Sequence, residues 1–424
     1  MNKFFVSVGL IAAGTAGLQA AYAPDLGPMA ASKVWNVSGT LRGFYDNNYT
    51  TAPQSKGSFG FEVTPQLDLN VALQQTELGI RYTYGLYYYQ ERQDLGQDPI
   101  DQSHQLDLWV DHAFTERWRA RAQDSFVIGQ EPELIDPNTS VPTRTEGNNI
   151  RNTGTLTLNT IWTRLFSTQL SYGNTFYDYQ NANGTFSNPS LAGLLNRMDQ
   201  DVSLDFQWSV SPSTMAYVGG AFSFSDYTGD EPIAQNPTTL AIYNSDTRNS
   251  RSYYAYVGAQ HSFLANLSFN GKAGIQYTDN YNDPSGSTSL NPYADLSLIY
   301  TYLPGSYLQA GFTQTENATD QVNINSKGQM AMFTESSTVY ASINQKLTPK
   351  LMGSAIGRWQ HSVYNGGAFN NQADDYYSLG LNLSYAFNPH FSAEAGYNLD
   401  YLQSDIPGND YTRSRVYLGV SAAY

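Results

Sequence analysis

The 424-residue chain has no cysteine. That excludes disulfide frameworks, thiolate metal sites, cysteine nucleophiles and a lipidated cysteine anchor. Charge is also scarce: Asp, Glu, Lys and Arg make up 14% of the residues, against about 25% in a soluble domain. Lys and Arg number 22 against 37 Asp and Glu, a formal net charge of −15 with no basic cluster. An electrostatic footprint for nucleic acid or for an anionic lipid surface is therefore missing. Long hydrophobic runs are missing too. Mean hydropathy is −0.43, and beyond the N-terminus nothing approaches the ~20 apolar residues that would carry a helix across a bilayer.

Abundant instead are aromatics and glycine: Tyr 33, Phe 20, Trp 6 and Gly 35, residues that favour strands, turns and interfaces. At the N-terminus, Lys3, the apolar stretch Phe4 to Leu18 and the small residues Ala20, Ala21 and Ala23 have the anatomy of a secretory signal peptide over residues 1–23. A short periplasmic leader, 24–33, and a single domain, 34–424, are expected to follow.

From residue 34 onward apolar and polar residues alternate in stretches of ten or more. Phe59, Phe61, Val63, Leu67, Leu69 and Val71 share one face while Glu62, Thr64, Gln66, Asp68 and Asn70 share the other. Period two over that length marks a strand with one apolar face. Strands in soluble sheets average about 5 to 6 residues, whereas a tilted membrane-spanning strand needs about 9 to 11. These stretches are of the long kind. Counting them gives about 18 strands, with 16 as the alternative, and an even number returns the chain to its starting side.

The connections alternate in length. Short ones fall at 74–76, 212–214, 303–306, 348–350 and 388–390, and long, Asn/Gly/Ser-rich ones at 46–56, 90–102, 130–151, 180–197, 229–249, 279–291, 316–330, 365–374 and 403–410. Short periplasmic turns and long outer loops are the pattern of an all-β, antiparallel, up-and-down outer-membrane barrel. Aromatics gather at strand ends, as membrane interfaces require: Trp35, Trp118, Trp162 and Trp208 near the short turns, Tyr45, Phe59, Trp359 and Tyr401 near the long loops. The long loops read as solvated surface segments.

In such a barrel the polar face lines a lumen. The acids expected there are Glu62, Asp68, Glu77, Asp107, Asp111, Asp201, Asp205, Asp295, Glu394 and Asp400. The bases are Arg42, Arg81, Arg119, Arg121, Lys272, Arg358, Arg413 and Arg415. Burying each in a dry core would cost several kcal/mol, so water must reach them, and a wall of this size can enclose an aqueous channel. Acid excess predicts a preference for cations or neutral solutes over anions. Inner-face aromatics such as Tyr87, Tyr177 and Tyr417 could stack sugars or simply fill volume. Small outward residues at Gly353, Ala355 and Gly357 suggest a flat contact face for a homotrimer.

The long stretch around 129–149 carries Glu131, Glu133, Asp136 and Glu146 against the single Arg144; it is read either as a loop that narrows the pore or as a solvated loop. At the C-terminus Val416, Leu418, Val420, Ala422 and Tyr424 form the apolar side of an amphipathic strand ending on an aromatic. This resembles the targeting signal read by the barrel assembly machinery.

Taken together, residues 34–424 and in particular HQLDLWVDHAFTERW (His104 to Trp118), KLTPKLMGSAIGRWQ (Lys346 to Gln360) and LGLNLSYAFNPHFSAEAGYNLDY (Leu379 to Tyr401) resemble the beta-barrel porin family of bacterial outer-membrane proteins. The resemblance implies a water-filled channel in the outer-membrane lipid for small hydrophilic solutes or saccharides, with no cofactor and no catalytic set. Some relatives accompany exopolysaccharide export, which makes a polymer export pore the alternative. An outer-membrane hydrolase is a weaker rival: it would have to use His104 or His361, the histidines near long-loop ends, and no pair stands at metal-ligand spacing.

Overall fold

The computed structural model describes residues 34–129, 148–319 and 321–424. The alternation becomes eighteen long strands: β1 (Trp35–Asp46), β2 (Ser58–Ala72), β3 (Thr76–Tyr89), β4 (Ile100–Ala113), β5 (Trp118–Gly129), β6 (Asn149–Ile161), β7 (Phe166–Tyr179), β8 (Arg197–Ser211), β9 (Thr214–Tyr227), β12 (Ser250–Leu264), β13 (Leu267–Asp279), β14 (Thr288–Leu303), β15 (Ser306–Ala318), β16 (Ala331–Lys346), β17 (Leu351–Gly366), β18 (Ala373–Asn388), β19 (Phe391–Ser404) and β20 (Tyr411–Ala423). Each pairs antiparallel with its neighbours in chain order, and β20 closes on β1, so the sheet is a barrel without free edges. A two-stranded hairpin, β10 (Pro232–Gln235) and β11 (Ile242–Asn244), sits in the connection between β9 and β12. Two five-residue helices, α1 (Gln90–Asp94) and α2 (Leu191–Leu195), lie in other long loops.

The two faces differ as the alternation requires. On β1, Trp35, Val37, Leu41 and Tyr45 are exposed while Asn36, Phe44 and Asp46 are buried. In a closed sheet the crowded, concave side is the interior, so the polar face lines the lumen and the apolar face forms the outer belt. Rings pack along that belt at both ends: Trp118 against Trp162 and Phe166 against Trp208 near the short turns, Tyr45 against Phe59 and Tyr377 against Tyr401 near the long loops.

One long-loop group departs from the expectation of solvated segments. Residues 180–196, 228–249 and 321–330 pack on one another through Ile233, Ala234 and Met330, together with Met332 of β16 and the flanking Leu194, Tyr243, Val322 and Ile324. Apolar side chains scattered singly along loops carry no periodicity, which is why they did not read as a core. Arg248 fastens this cap: its Nη2 donates to the carbonyls of Leu194 (3.1 Å) and Thr319 (2.6 Å) and to the Tyr227 hydroxyl (2.6 Å). The segment proposed to narrow the pore, with Glu131, Glu133, Asp136, Arg144 and Glu146, lies outside the described residues, as do residues 1–33.

The wall also has a parting. β14 and β15 pair only as far as Ala294 and Gln314; above them Thr288–Tyr293 pair with β13 alone and Thr315–Ala318 with β16 alone. Pro292 stands just past the last pair, where a residue without an N–H ends the ladder. The side chain of Gln276 on β13 takes the missing strand's place. Its Oε1 accepts from the Glu316 amide (3.0 Å) and its Nε2 donates to the Glu316 carbonyl (3.1 Å).

Candidate functional site

The strand pleat puts the eighteen sequence-predicted lining side chains on the face opposite the exposed apolar belt, and register brings nine of them into ion pairs with one another. At the junction of last and first strands, Arg42 on β1 reaches Glu394 on β19 (2.5 Å) and Glu62 on β2 (3.1 Å), and Arg415 on β20 reaches the other Glu62 oxygen (3.2 Å). Arg415 also lies over the Phe44 ring at 4.0 Å, and Arg42 over Tyr417 at 5.2 Å. Higher on this junction Arg413 pairs with Asp46, and Asp400 accepts from the Tyr376 hydroxyl (2.7 Å). Next along the wall, Arg81 reaches Asp68 (2.7 Å), and Arg119 (2.5 Å) and Arg121 (2.7 Å) grip the two oxygens of Asp111. Glu77 stands opposite Asp111 in the register. Six arginines thus crowd one side of the lumen, each held by acids on neighbouring strands.

The other acids are not matched in this way. Among the described residues Asp107 accepts from Gln105 and Ser125, and Asp205 accepts from the Tyr256 hydroxyl (2.7 Å). Asp201 lies over Gly173, and Asp295 is exposed. Lys272 stands directly opposite Asp295 in the register, but its ammonium lies over the Tyr256 and Tyr293 rings at 5.0 and 5.2 Å. Among the described residues, no ion pair within 4 Å holds Asp107, Asp201, Asp205 or Asp295. Arg358 on β17 donates to Gln360.

Several inner-face rings lie flat against the wall because the neighbouring strand carries glycine there. A Cβ on Gly79 would meet the Trp109 ring at 1.8 Å, one on Gly311 the Tyr340 ring at 2.3 Å, and one on Gly396 the Tyr417 ring at 2.1 Å. Glycine at these positions leaves room for the ring and keeps it out of the open space.

The parity that found these residues stopped at strand ends and in loops. It passed over Asp46 and Asp101 on the inner face, and Arg92, which pairs with Asp101 (2.6 Å) from α1. In the cap, Glu231 accepts from Ser190 Oγ (2.6 Å) and from the amides of Asn183 and Gly184 (2.9 Å each). Burial pushes its carboxyl up, but these three donors outweigh it and hold it below the ordinary glutamate value. His104 and His361 lie on the outer face, His104 Nδ1 against the Tyr82 hydroxyl (2.8 Å) and His361 Nδ1 against Asp375 (3.0 Å). The C-terminal residues Val416, Leu418, Val420 and Tyr424 are exposed on the outer side, in line with Ala422.

The model of the family named "Putative beta-barrel porin 2" matches residues 34–424. The chain belongs to this family. The porin resides in the outer membrane, where its barrel forms a channel. No curated protein matches its sequence. Among solved structures it is similar to OccK9 (OpdG) of Pseudomonas aeruginosa, at 13% identity and a TM-score of 0.46 over 92% of this chain and 98% of that one. It is also similar to OccAB4 of Acinetobacter baumannii, at 12% identity and 0.44 over 92% and 99%. A third similar structure is a mutant ferric enterobactin receptor (PfeA) of Pseudomonas aeruginosa, at 10% and 0.46 over 92% and 80%.

Proposed function

We propose that the porin is a passive pathway for small hydrophilic solutes that favours cations over anions. The observation that carries this reading is the unequal pairing of inner-face charge. Six of the arginines, Arg42, Arg81, Arg119, Arg121, Arg413 and Arg415, are engaged by Glu62, Glu394, Asp46, Asp68 and Asp111, while Asp107, Asp201, Asp205 and Asp295 have no such partner among the described residues. Six arginines on one side, with Asp107 among them, and the unmatched Asp201, Asp205 and Asp295 on β8 and β14 set up a field across the lumen, and the surplus of unpaired charge is negative. Reversal potentials in planar bilayers under a salt gradient test it: cation preference is expected, and anion preference would overturn it.

A second reading, export of a polysaccharide, draws on the rings of Trp109, Tyr340 and Tyr417 lying over glycines, since flat rings offer stacking faces to sugars. Liposome swelling with saccharides of graded size separates the two. A sharp cutoff at small oligosaccharides supports the diffusion pore, and passage of long chains supports export. For assembly, an apolar groove of about 480 Å³ runs on the outer face over Gly353 and Ala355 between Ile343, Leu381 and Leu383; it supports a homotrimer contact there, tested by crosslinking and by triplet conductance steps.

A further inference from the structure

The parting between β14 and β15 places two carboxylates together without a counter-charge. Glu316 and Glu335 are directly opposite in the β15–β16 register, so their side chains leave the same face of the sheet side by side. Like charges in that relation repel. Glu316 is 5% exposed, and its Oε2 accepts from Ser289 Oγ and Asn291 Nδ2 on the unpaired end of β14. Its Oε1 is buried and accepts no hydrogen bond of ordinary geometry, the Thr278 hydroxyl on β13 being the further polar group beside this carboxyl. Glu335 is half-buried and accepts from Gln314 Nε2 at 2.8 Å. Among the described residues, no Lys, Arg or His lies within ion-pair distance of either acid. A buried carboxylate oxygen beside a second carboxylate, with no positive group to balance them, asks for a cation.

We infer that the parting holds a hard cation of calcium size, bridging Glu316 Oε1 and the Glu335 carboxylate. Hard cations take oxygen ligands and mix carboxylates with neutral oxygens and water in flexible numbers. The surroundings provide neutral oxygens in the Ser289 hydroxyl and the Asn291 and Gln314 carboxamides, given rotation of those side chains. Nothing in sequence spacing announces such a site: its two acids are brought together by strand register, and its other oxygens come from β14. Because Ser289 and Asn291 belong to one side of the parting and Glu335 to the other, the bound ion would clasp the wall where the ladder is interrupted.

The test uses the full folded chain in detergent, titrated with Ca²⁺ by calorimetry and with Tb³⁺ by tyrosine-sensitised luminescence. One saturable Ca²⁺ site per chain is expected, together with a thermal midpoint that rises with Ca²⁺ and levels off at saturation. Glu316→Gln and Glu335→Gln should each weaken binding at least tenfold, while Glu116→Gln, in the exposed turn between β4 and β5, should leave it unchanged. Absence of saturable Ca²⁺ binding by the unaltered protein would overturn the inference and point to a proton shared between the two carboxyls. Full-strength binding in Glu335→Gln would overturn it equally, and that half-buried position tests the site even where Glu316→Gln fails to fold.

Discussion

Arg413 on the last strand grips Asp46 on the first, with Nε at 2.8 Å and Nη2 at 2.5 Å from the same carboxylate oxygen, and both side chains are almost wholly buried. Removing one partner leaves the other charge buried and unpaired, a loss of about 3–5 kcal/mol. Arg413→Met should therefore lower the urea midpoint of the reconstituted barrel strongly. Replacing both, as Arg413→Met with Asp46→Asn, should recover much of it. Equal loss in the single and double variants would show that the pair is not coupled.

Selectivity should follow the unmatched acids. Asp107→Asn and Asp295→Asn each remove a negative charge that is in no ion pair among the described residues, although Arg81 and Lys272 stand opposite them in the register, so each should shift the reversal potential toward zero, and the two together should shift it further. Asp111→Asn should behave differently, because it frees Arg119 and Arg121 and adds local positive charge. Identical shifts for Asp107→Asn and Asp111→Asn would contradict the distinction between matched and unmatched acids.

Gly79 is the seat of the Trp109 ring. Gly79→Ala forces that ring off the wall, so single-channel conductance should fall and stability should drop by about 1–3 kcal/mol, the usual scale for overpacking. Adding Trp109→Ala in the same chain should restore conductance. If conductance is unchanged in Gly79→Ala, the ring does not border the conducting path.

The cap offers a sharper handle. Arg248→Ala removes three hydrogen bonds joining residues from different segments, and the loops at 180–196 and 319–330 should become more sensitive to added protease while the barrel itself stays resistant. Arg248→Lys should not rescue the effect, since a lysine lacks the planar guanidinium that lies over the Tyr227 ring, 4.2 Å from its centroid, and holds Nη2 at the three acceptors. Unchanged cleavage in Arg248→Ala would mean that the apolar contacts alone hold the cap.

Acid should loosen the same region through Glu231. Its carboxyl is held below the ordinary value, so the stabilisation is present above the unfolded value of about 4.3 and is lost as the pH falls through the lower folded one. Protease sensitivity of residues 180–196 should rise across that acidic window. Glu231→Gln should be sensitive at neutral pH already and respond less to acid. A response of equal size in both proteins would assign the acid effect to another group.

The barrel was legible because its two determinants are local: period two fixes which face is apolar, and length separates membrane strands from soluble ones. Parity alone put Arg42, Glu62, Glu394 and Arg415 on one face, although only register could show that they touch. The cap was not legible, since Ile233, Met330 and Leu194 meet through contacts between loops far apart in sequence. The parting at β14 had a local sign in Pro292, but its filling by the Gln276 side chain depends on a neighbour strand that no pattern along β14 reveals.

The closure of β20 on β1 also decides what the bilayer meets. Thr40 and Ser421 share a hydrogen bond across 381 positions of chain, and Tyr424 exchanges backbone bonds with Val37. Until those partners meet, both terminal strands present bare donors and acceptors that lipid cannot satisfy. A ring left open between β20 and β1 would therefore face the bilayer with two rows of unpaired backbone groups, which their mutual pairing covers.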